Sequence, residues 1–487
     1  MNFARLTFER LSGKCFLGGK WHAASPTLAV LDPCTHDTLG AQASLDVRTV
    51  RECMRQASTA GATWARKAVQ ERHAHLVLLA TNILSDLDQL SELIVLESGK
   101  PRSEAEGEVR IAAEFIRAAA EYALRVQDRL TPRDTNQVYS FVRHRPFSTI
   151  LAVTPWNYPL ALIARKLGSA LAAGSAMVVK PSEKAPFSAL RLAEHAEAAG
   201  IDSGQFSVIT GDAQTLVTAA LDSGLVSRLS FTGSKHVGRI VAQQAARHLI
   251  PAALELGGQA PFIVHDDADV GLAACHAVAV KFRNAGQTCV APTLFMVHES
   301  LLDTFLSTFV DAAKALRLGS GLSESATMGP LIDDDGVSKA LNHIQNALNL
   351  GSKLLIGGTK PSGPGLARGS FLNPTVLRGW VPTMDIANDE TFGPVAAIQS
   401  FADEDAMMDQ ISATRGGLAA YVYTQRASRA FRAMEEIPCG ILCINDISTA
   451  SPYAPLGGIG DSGFGREAGP EGLMENLQAT FVRWYPG

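Results

Sequence analysis

The chain has 487 residues, 46% of them hydrophobic and 19% charged, with a formal net charge of −5 and a pI near 6.2. That length suits about three domains, or two large ones with an appendage, and a core of ordinary size. The mild acidity excludes the basic stripe of a nucleic-acid binder, and no Lys/Arg run suggests attachment to a membrane surface.

From the N-terminus, Met1 to Arg10 carries Glu9 and no long apolar stretch, so it does not read as a secretory signal. Residues 45–125 read as helical: Ala, Leu, Glu and Arg recur at i, i+3 and i+4, with a break at Gly99-Lys100-Pro101. A turn at Thr131-Pro132-Arg133-Asp134 leads into Val138 to His144, an alternating strand whose expected partner is Ala479 to Tyr485. From 148 to 253, strand-like runs at 148–153, 176–179, 206–209 and 228–231 alternate with helices, which predicts parallel βαβ units. The apolar run from Leu167 to Val179 is too short for a bilayer, which takes about 20 residues. A second alternating block covers about 254–445, in which Gly358 to Gly369 reads as a surface loop. The seven cysteines are odd in number and scattered, so reduced thiols in a cytoplasmic protein are expected. Cys439 and Cys443 lack partners at zinc spacing, so no metal site is expected.

Two segments suggest a nucleotide. Arg228 to Gly238 reads as strand, tight turn and helix, and a helix N-terminus with free N–H groups attracts phosphate. Val178-Val179-Lys180-Pro181-Ser182-Glu183 ends a strand with a cation and a carboxylate, where open α/β sheets bind ligands. Gly463-Phe464-Gly465 follows no convincing strand and reads as a loop.

The chemistry is carried by Lys281-Phe282-Arg283-Asn284-Ala285-Gly286-Gln287-Thr288-Cys289, with Glu255-Leu256-Gly257-Gly258 lying 34 residues earlier (289 − 255). A thiol and a separate carboxylate suit a reaction that passes through a thioester and then needs activated water.

These segments, with Leu151 to Pro159, the Lys180 stretch, the Gly233 turn and Glu390-Thr391-Phe392-Gly393-Pro394, resemble the aldehyde dehydrogenase superfamily in order and approximate spacing. The resemblance implies an α/β fold with a Rossmann-type NAD(P) domain (1–126 and 147–253, with a return at 446–468). It also implies a catalytic domain (254–445) and a β arm (127–146 and 469–487) that builds a homodimer or homotetramer. Thr154, Pro155, Trp156, Lys180, Ser182, Glu183, Gly233, Ser234, Val237, Leu256 and Gly257 would then lie along the cofactor, with Glu390 and Phe392 at the nicotinamide ribose and ring. Cys289 becomes the nucleophile, Asn157 the oxyanion donor and Glu255 the base that activates water. A carboxylate such as Glu183 at the adenine ribose would repel a 2′-phosphate, so NAD is expected over NADP.

Ile163-Ala164-Arg165-Lys166 and Lys281-Phe282-Arg283-Asn284 look like the corresponding segments of succinate-semialdehyde dehydrogenases. In those enzymes arginines at both positions, and a serine matched here by Ser451, hold the substrate carboxylate. The chain departs from the family at Leu456 and Gly460, where many relatives carry Phe and Lys, and at Ala291, where some semialdehyde dehydrogenases carry a redox-switch cysteine. An uncharged aliphatic or aromatic aldehyde is the alternative substrate. A non-catalytic scaffold is the alternative role, and intact Cys289, Glu255 and Asn157 argue against it.

Overall fold

The computed structural model describes residues 3–132, 137–363, 365–413 and 416–486, so Arg133 and Asp134 of the expected turn, and Pro364 of the expected loop, lie outside the described residues. Helices Val47–Trp64, Val69–Ser85, Leu87–Ser98 and Arg102–Ala123 occupy the stretch with helical periodicity. Gly99 ends the third of them in the left-handed conformation, and Pro101 caps the fourth. Arg102–Ala123 is rich in alanine and packs tightly on Ala161–Ala173; a Cβ at Gly168 would stand 3.0 Å from the Ile116 Cα.

Two sheets carry the molecule. The first runs Lys20–Ala23, Lys14–Leu17, Phe206–Val208, Ala176–Lys180, Thr149–Val153, Arg228–Gly233, Ala252–Leu256 and Gly463–Phe464. From Phe206–Val208 to Ala252–Leu256 its strands are parallel and almost wholly buried, which is why their sequences read as continuous apolar runs. The second runs Lys353–Ile356, Thr375–Arg378, Val395–Phe401, Leu294–His298, Phe262–Val264, Ala419–Tyr423 and Ile441–Ile444. Each sheet buries its own apolar layers.

Tyr139–Pro146 pairs antiparallel with Leu477–Trp484, Tyr139 facing Trp484, and Arg129–Leu130 adds a third short strand. Leu130, Phe481, Trp484 and Tyr485 are exposed on and beside this arm. Among the described residues no helix is long and apolar enough to cross a membrane.

One expectation is corrected. Gly463–Phe464 is not a free loop but an edge strand, with Leu254 opposite Phe464 and Glu255 opposite Gly463. Gly463 has φ +109 and lies so close to the Leu254 carbonyl that no side chain fits there.

Candidate active site

Cys289 stands where two cavities meet. One, about 470 Å³, is lined among others by Glu104, Phe115, Arg165, Arg283, Thr449 and Leu456. The other, about 450 Å³, is lined among others by Trp156, Gly233, Ser234, Lys235, Glu390 and Phe392. Cys289, Glu255, Thr232, Tyr158 and Leu162 line both. Glu255 comes from the end of the Ala252–Leu256 strand and Cys289 from the loop after the Val270–Phe282 helix.

That loop is held under strain. Asn284 and Ala285 take left-handed φ of 49° and 54°, a conformation unfavourable for residues with a side chain. Hydrogen bonds over-determine it. The Asn284 N–H donates to Glu104 Oε2 (2.8 Å), and the Gln287 amide donates to the carbonyls of Asn284 (2.9 Å) and Pro330 (3.2 Å). Asn157 joins the opposite wall to this loop, its Nδ2 donating to the Gln287 carbonyl at 3.0 Å. The second hydrogen of that amide is left for another acceptor. Lys100, fully buried, donates to the Asn157 carbonyl (2.7 Å) and to Glu108 (2.6 Å), while the other oxygen of Glu108 accepts the N–H groups of Leu160 and Ala161.

Burial dominates the electrostatics. It pushes the Cys289 thiol up to about 12, helped by the charge of Glu390 and opposed by Arg165. It raises the Glu255 carboxyl to about 8, with Glu467 adding to the effect; Glu255 Oε1 has no hydrogen-bond partner among the described residues. Burial likewise raises Glu390 to about 8 and lowers Lys281 to about 7. For Glu467 burial also acts upward, but Lys166 and Arg165 outweigh it and hold the carboxyl at about 2.

The residues also suit a nucleotide. Ser234 caps the Lys235–Arg247 helix, its side chain accepting the Val237 N–H, and Ser234, Lys235 and His236 line the second cavity at that helix N-terminus. A Cβ at Gly257 would stand 2.6 Å from Glu390 Cδ, so the missing side chain leaves the carboxylate its place. Trp156 and Phe392 meet edge to face at 5.6 Å. Thr154 is buried nearby, with its Oγ1 lacking a partner among the described residues, and Pro155 lines the cavity. Lys180 pairs with Glu183, whose Oε1 also accepts the Ala213 N–H at 2.9 Å; Ser182 accepts the Lys184 N–H. Leu256 packs under Gly238 and does not line the cavity.

The two arginines are placed differently. Arg165 Nε donates to Glu467 Oε2 at 2.6 Å, and Lys166 pairs with the other oxygen of the same carboxylate. Arg283 has no hydrogen bond or ion pair among the described residues. Ser451 accepts the Tyr453 N–H at 3.2 Å; it is Thr449 and Ala450, just before it, that reach the first cavity. Sequence reasoning missed Glu467, Glu104 and Glu108. Arg466-Glu467 follows the Gly463-Phe464-Gly465 segment that reads as a loop, and no local pattern signals that Glu467 is buried.

The fold is α/β, and a thiol and a carboxylate stand at the junction of two cavities, one of them at a helix N-terminus. Comparison with known proteins gives the family. Residues 21–482 match the aldehyde dehydrogenase family. The chain is 38% identical to a 3-sulfolactaldehyde dehydrogenase of Pseudomonas putida, over 97% of each chain. It is also 38% identical to the succinate-semialdehyde dehydrogenase [NADP(+)] GabD of Escherichia coli, over 96% of this chain and 97% of that one. A succinate-semialdehyde dehydrogenase structure from Burkholderia pseudomallei superposes with a TM-score of 0.94 at 39% identity, covering 97% of this chain and 98% of that one. The chain belongs to the aldehyde dehydrogenase family, whose members oxidise aldehydes with NAD(P).

Proposed function

We propose that this protein oxidises a short aldehyde bearing a distal carboxylate, such as succinic semialdehyde, to the corresponding diacid, with NAD preferred over NADP. The observation that carries the reading is Arg283, a guanidinium with no hydrogen bond or ion pair among the described residues, in the wall of the cavity that ends at Cys289.

Cys289 Sγ attacks the aldehyde carbon. The free N–H of the Asn157 amide and the Cys289 backbone N–H stabilise the oxyanion that develops. The first cavity takes the rest of the substrate, with its carboxylate toward Arg283. Bound NAD(P) supplies the hydride acceptor; Trp156, Gly233, Ser234, Glu390 and Phe392 would hold it. Glu255 lines both cavities beside Cys289, and its Oε1 has no hydrogen-bond partner among the described residues. It removes a proton from the water that attacks the thioester, and the acid leaves as the thiol is restored. The high carboxyl pKa of Glu255 suits a base that must accept that proton. Glu183, its carboxylate 37% exposed beside Lys180, supports NAD by repelling a 2′-phosphate. The arm formed by Tyr139–Pro146 and Leu477–Trp484, with its exposed aromatic residues, supports a homodimer or homotetramer.

NADH formation with succinic semialdehyde, butanal and benzaldehyde tests the reading, with Cys289→Ala as the blank. The semialdehyde should have the highest kcat/KM and the variant none. Preference for either uncharged aldehyde would end the carboxylate assignment, and turnover by the variant would end the assignment of the nucleophile.

A further inference from the structure

We propose that Glu104 is a specificity-determining residue of the substrate cavity: its carboxylate offsets the charge of Arg283 and so limits how strongly an anionic aldehyde is preferred over a neutral one. This rests on the reading that Arg283 meets a substrate carboxylate.

Glu104 lies in the first turn of the Arg102–Ala123 helix and lines the same cavity as Arg283, Tyr158 and Cys289. Its Oε2 is anchored by the N–H of Asn284, the residue next to Arg283. Its Oε1 makes no hydrogen bond among the described residues. The contrast with Glu108, one turn along the same helix face, is informative. Both oxygens of Glu108 are engaged, by Lys100 and by the Leu160 and Ala161 N–H groups, so that carboxylate is fully committed to the wall. Lys100 in turn is committed to Glu108 and the Asn157 carbonyl. Arg165 is tied to Glu467. Among the described residues, the lining charges without an ion-pair partner are therefore Arg283, Glu104 and Glu255, of which Glu104 is the one bonded to the residue next to Arg283.

The charged and titratable groups facing Glu104 are Glu108 on its own helix, Lys100 from the turn before it, Arg283 from the nucleophile loop and Tyr158 from the loop after the Thr149–Val153 strand. Burial raises the Glu104 carboxyl to about 7, reinforced by Glu108 and opposed by Lys100 and Arg283. The sign follows. Below that pH Glu104 is neutral and Arg283 acts on the substrate carboxylate unopposed. Above it Glu104 is an anion and repels that carboxylate. The substrate carboxyl, with an ordinary pKa near 4, stays charged throughout.

The test is the ratio of kcat/KM for succinic semialdehyde to that for butanal, followed from about pH 6 to about pH 8.5. Taking a ratio cancels the catalytic ionisation of Cys289 and Glu255, which both substrates share; repulsion of the anion by Glu255 persists in Glu104→Gln, so the difference between wild type and variant reports Glu104. In the wild type the ratio should fall as pH rises. Glu104→Gln keeps an acceptor for the Asn284 N–H but removes the charge; it should raise the ratio about three- to tenfold at the alkaline end and flatten its pH dependence. A pH-independent wild-type ratio would overturn the proposal, and needs no variant to fold. A Glu104→Gln ratio at or below wild type would overturn it as well. Arg283→Ala separates the two ideas. If it collapses the ratio while Glu104→Gln leaves it unmoved, the cavity binds a carboxylate but Glu104 does not tune it. If Arg283→Ala leaves the ratio unchanged, the carboxylate reading fails and takes this proposal with it.

Discussion

Arg165 and Arg283 line one cavity, yet their replacement should have different consequences. Arg283 has no hydrogen bond or ion pair among the described residues, so Arg283→Ala breaks no pair there. What is lost is one charge-assisted hydrogen bond to the substrate, worth about 1.5–3 kcal/mol. Arg283 is exposed, and solvent screening favours the low end of that range. About 1.5 kcal/mol is about a tenfold fall in kcat/KM for succinic semialdehyde, carried mostly by KM, with butanal within about twofold of wild type. Arg165→Ala instead breaks a buried pair. Glu467 keeps Lys166 and the Ser230 hydroxyl but loses the guanidinium bonded at 2.6 Å. Breaking such pairs costs about 3–5 kcal/mol, and the surviving Lys166 places this one toward the low end. Arg165 also restrains the upward shifts of Glu255 and Cys289. Its removal should therefore lower Tm and slow both aldehydes alike. Steady-state kinetics with the two aldehydes, together with thermal unfolding of each variant, read this directly. An Arg165→Ala protein of wild-type Tm that loses only its preference for the semialdehyde would refute the reasoning, as would equal losses on both substrates in Arg283→Ala.

Glu255→Gln should leave thioester formation intact and stall hydrolysis, seen as a burst of about one NADH per site and then a slow phase; an unchanged steady-state rate would mean another group activates the water. Because burial places the Glu255 carboxyl at about 8, and only the ionised form accepts a proton, hydrolysis in the wild type should increase as pH rises through that value. Replacing Glu183 with Gln should raise kcat/KM for NADP relative to NAD, and a wild type that uses NADP as well as NAD would remove the basis for that expectation. Gly257→Ala drives a methyl against the Glu390 carboxylate, so it should raise KM for the cofactor well before it affects Tm; an unaltered cofactor KM would show that Glu390 moves aside without consequence.

Much of the architecture could be read along the chain because it is written in local patterns. The four helices between 47 and 123 follow from periodicity and from the Gly99-Lys100-Pro101 break. The parallel strands at 149–153, 176–180 and 228–233 follow from short apolar runs between helices. The pairing of Tyr139–Pro146 with Leu477–Trp484 follows from two alternating segments that each lacked a neighbour. The Gly463–Phe464 strand was not legible. Two residues hold no alternation, and the strand exists only because Leu254 and Glu255 present an unpaired edge.

The family, the aldehyde chemistry and the identities of Cys289, Glu255 and Asn157 as candidates were carried by the sequence itself, because each lies in a short stretch of distinctive residues whose order along the chain is informative. The state of each charged group was decided by the tertiary structure alone. Arg165 and Glu467 are 302 residues apart, and no spacing rule links them. Their contact gives one of the two expected carboxylate ligands a buried partner, whereas Arg283 has none among the described residues. Glu104 and Glu108, one turn apart on a helix, look alike in sequence. Only the packing of that helix against the two active-site loops gives Glu108 partners on both oxygens and leaves Glu104 an oxygen without one among the described residues. Ionisation and ligand reach depend on what surrounds a side chain in space, and folding sets those surroundings through contacts that local sequence does not encode.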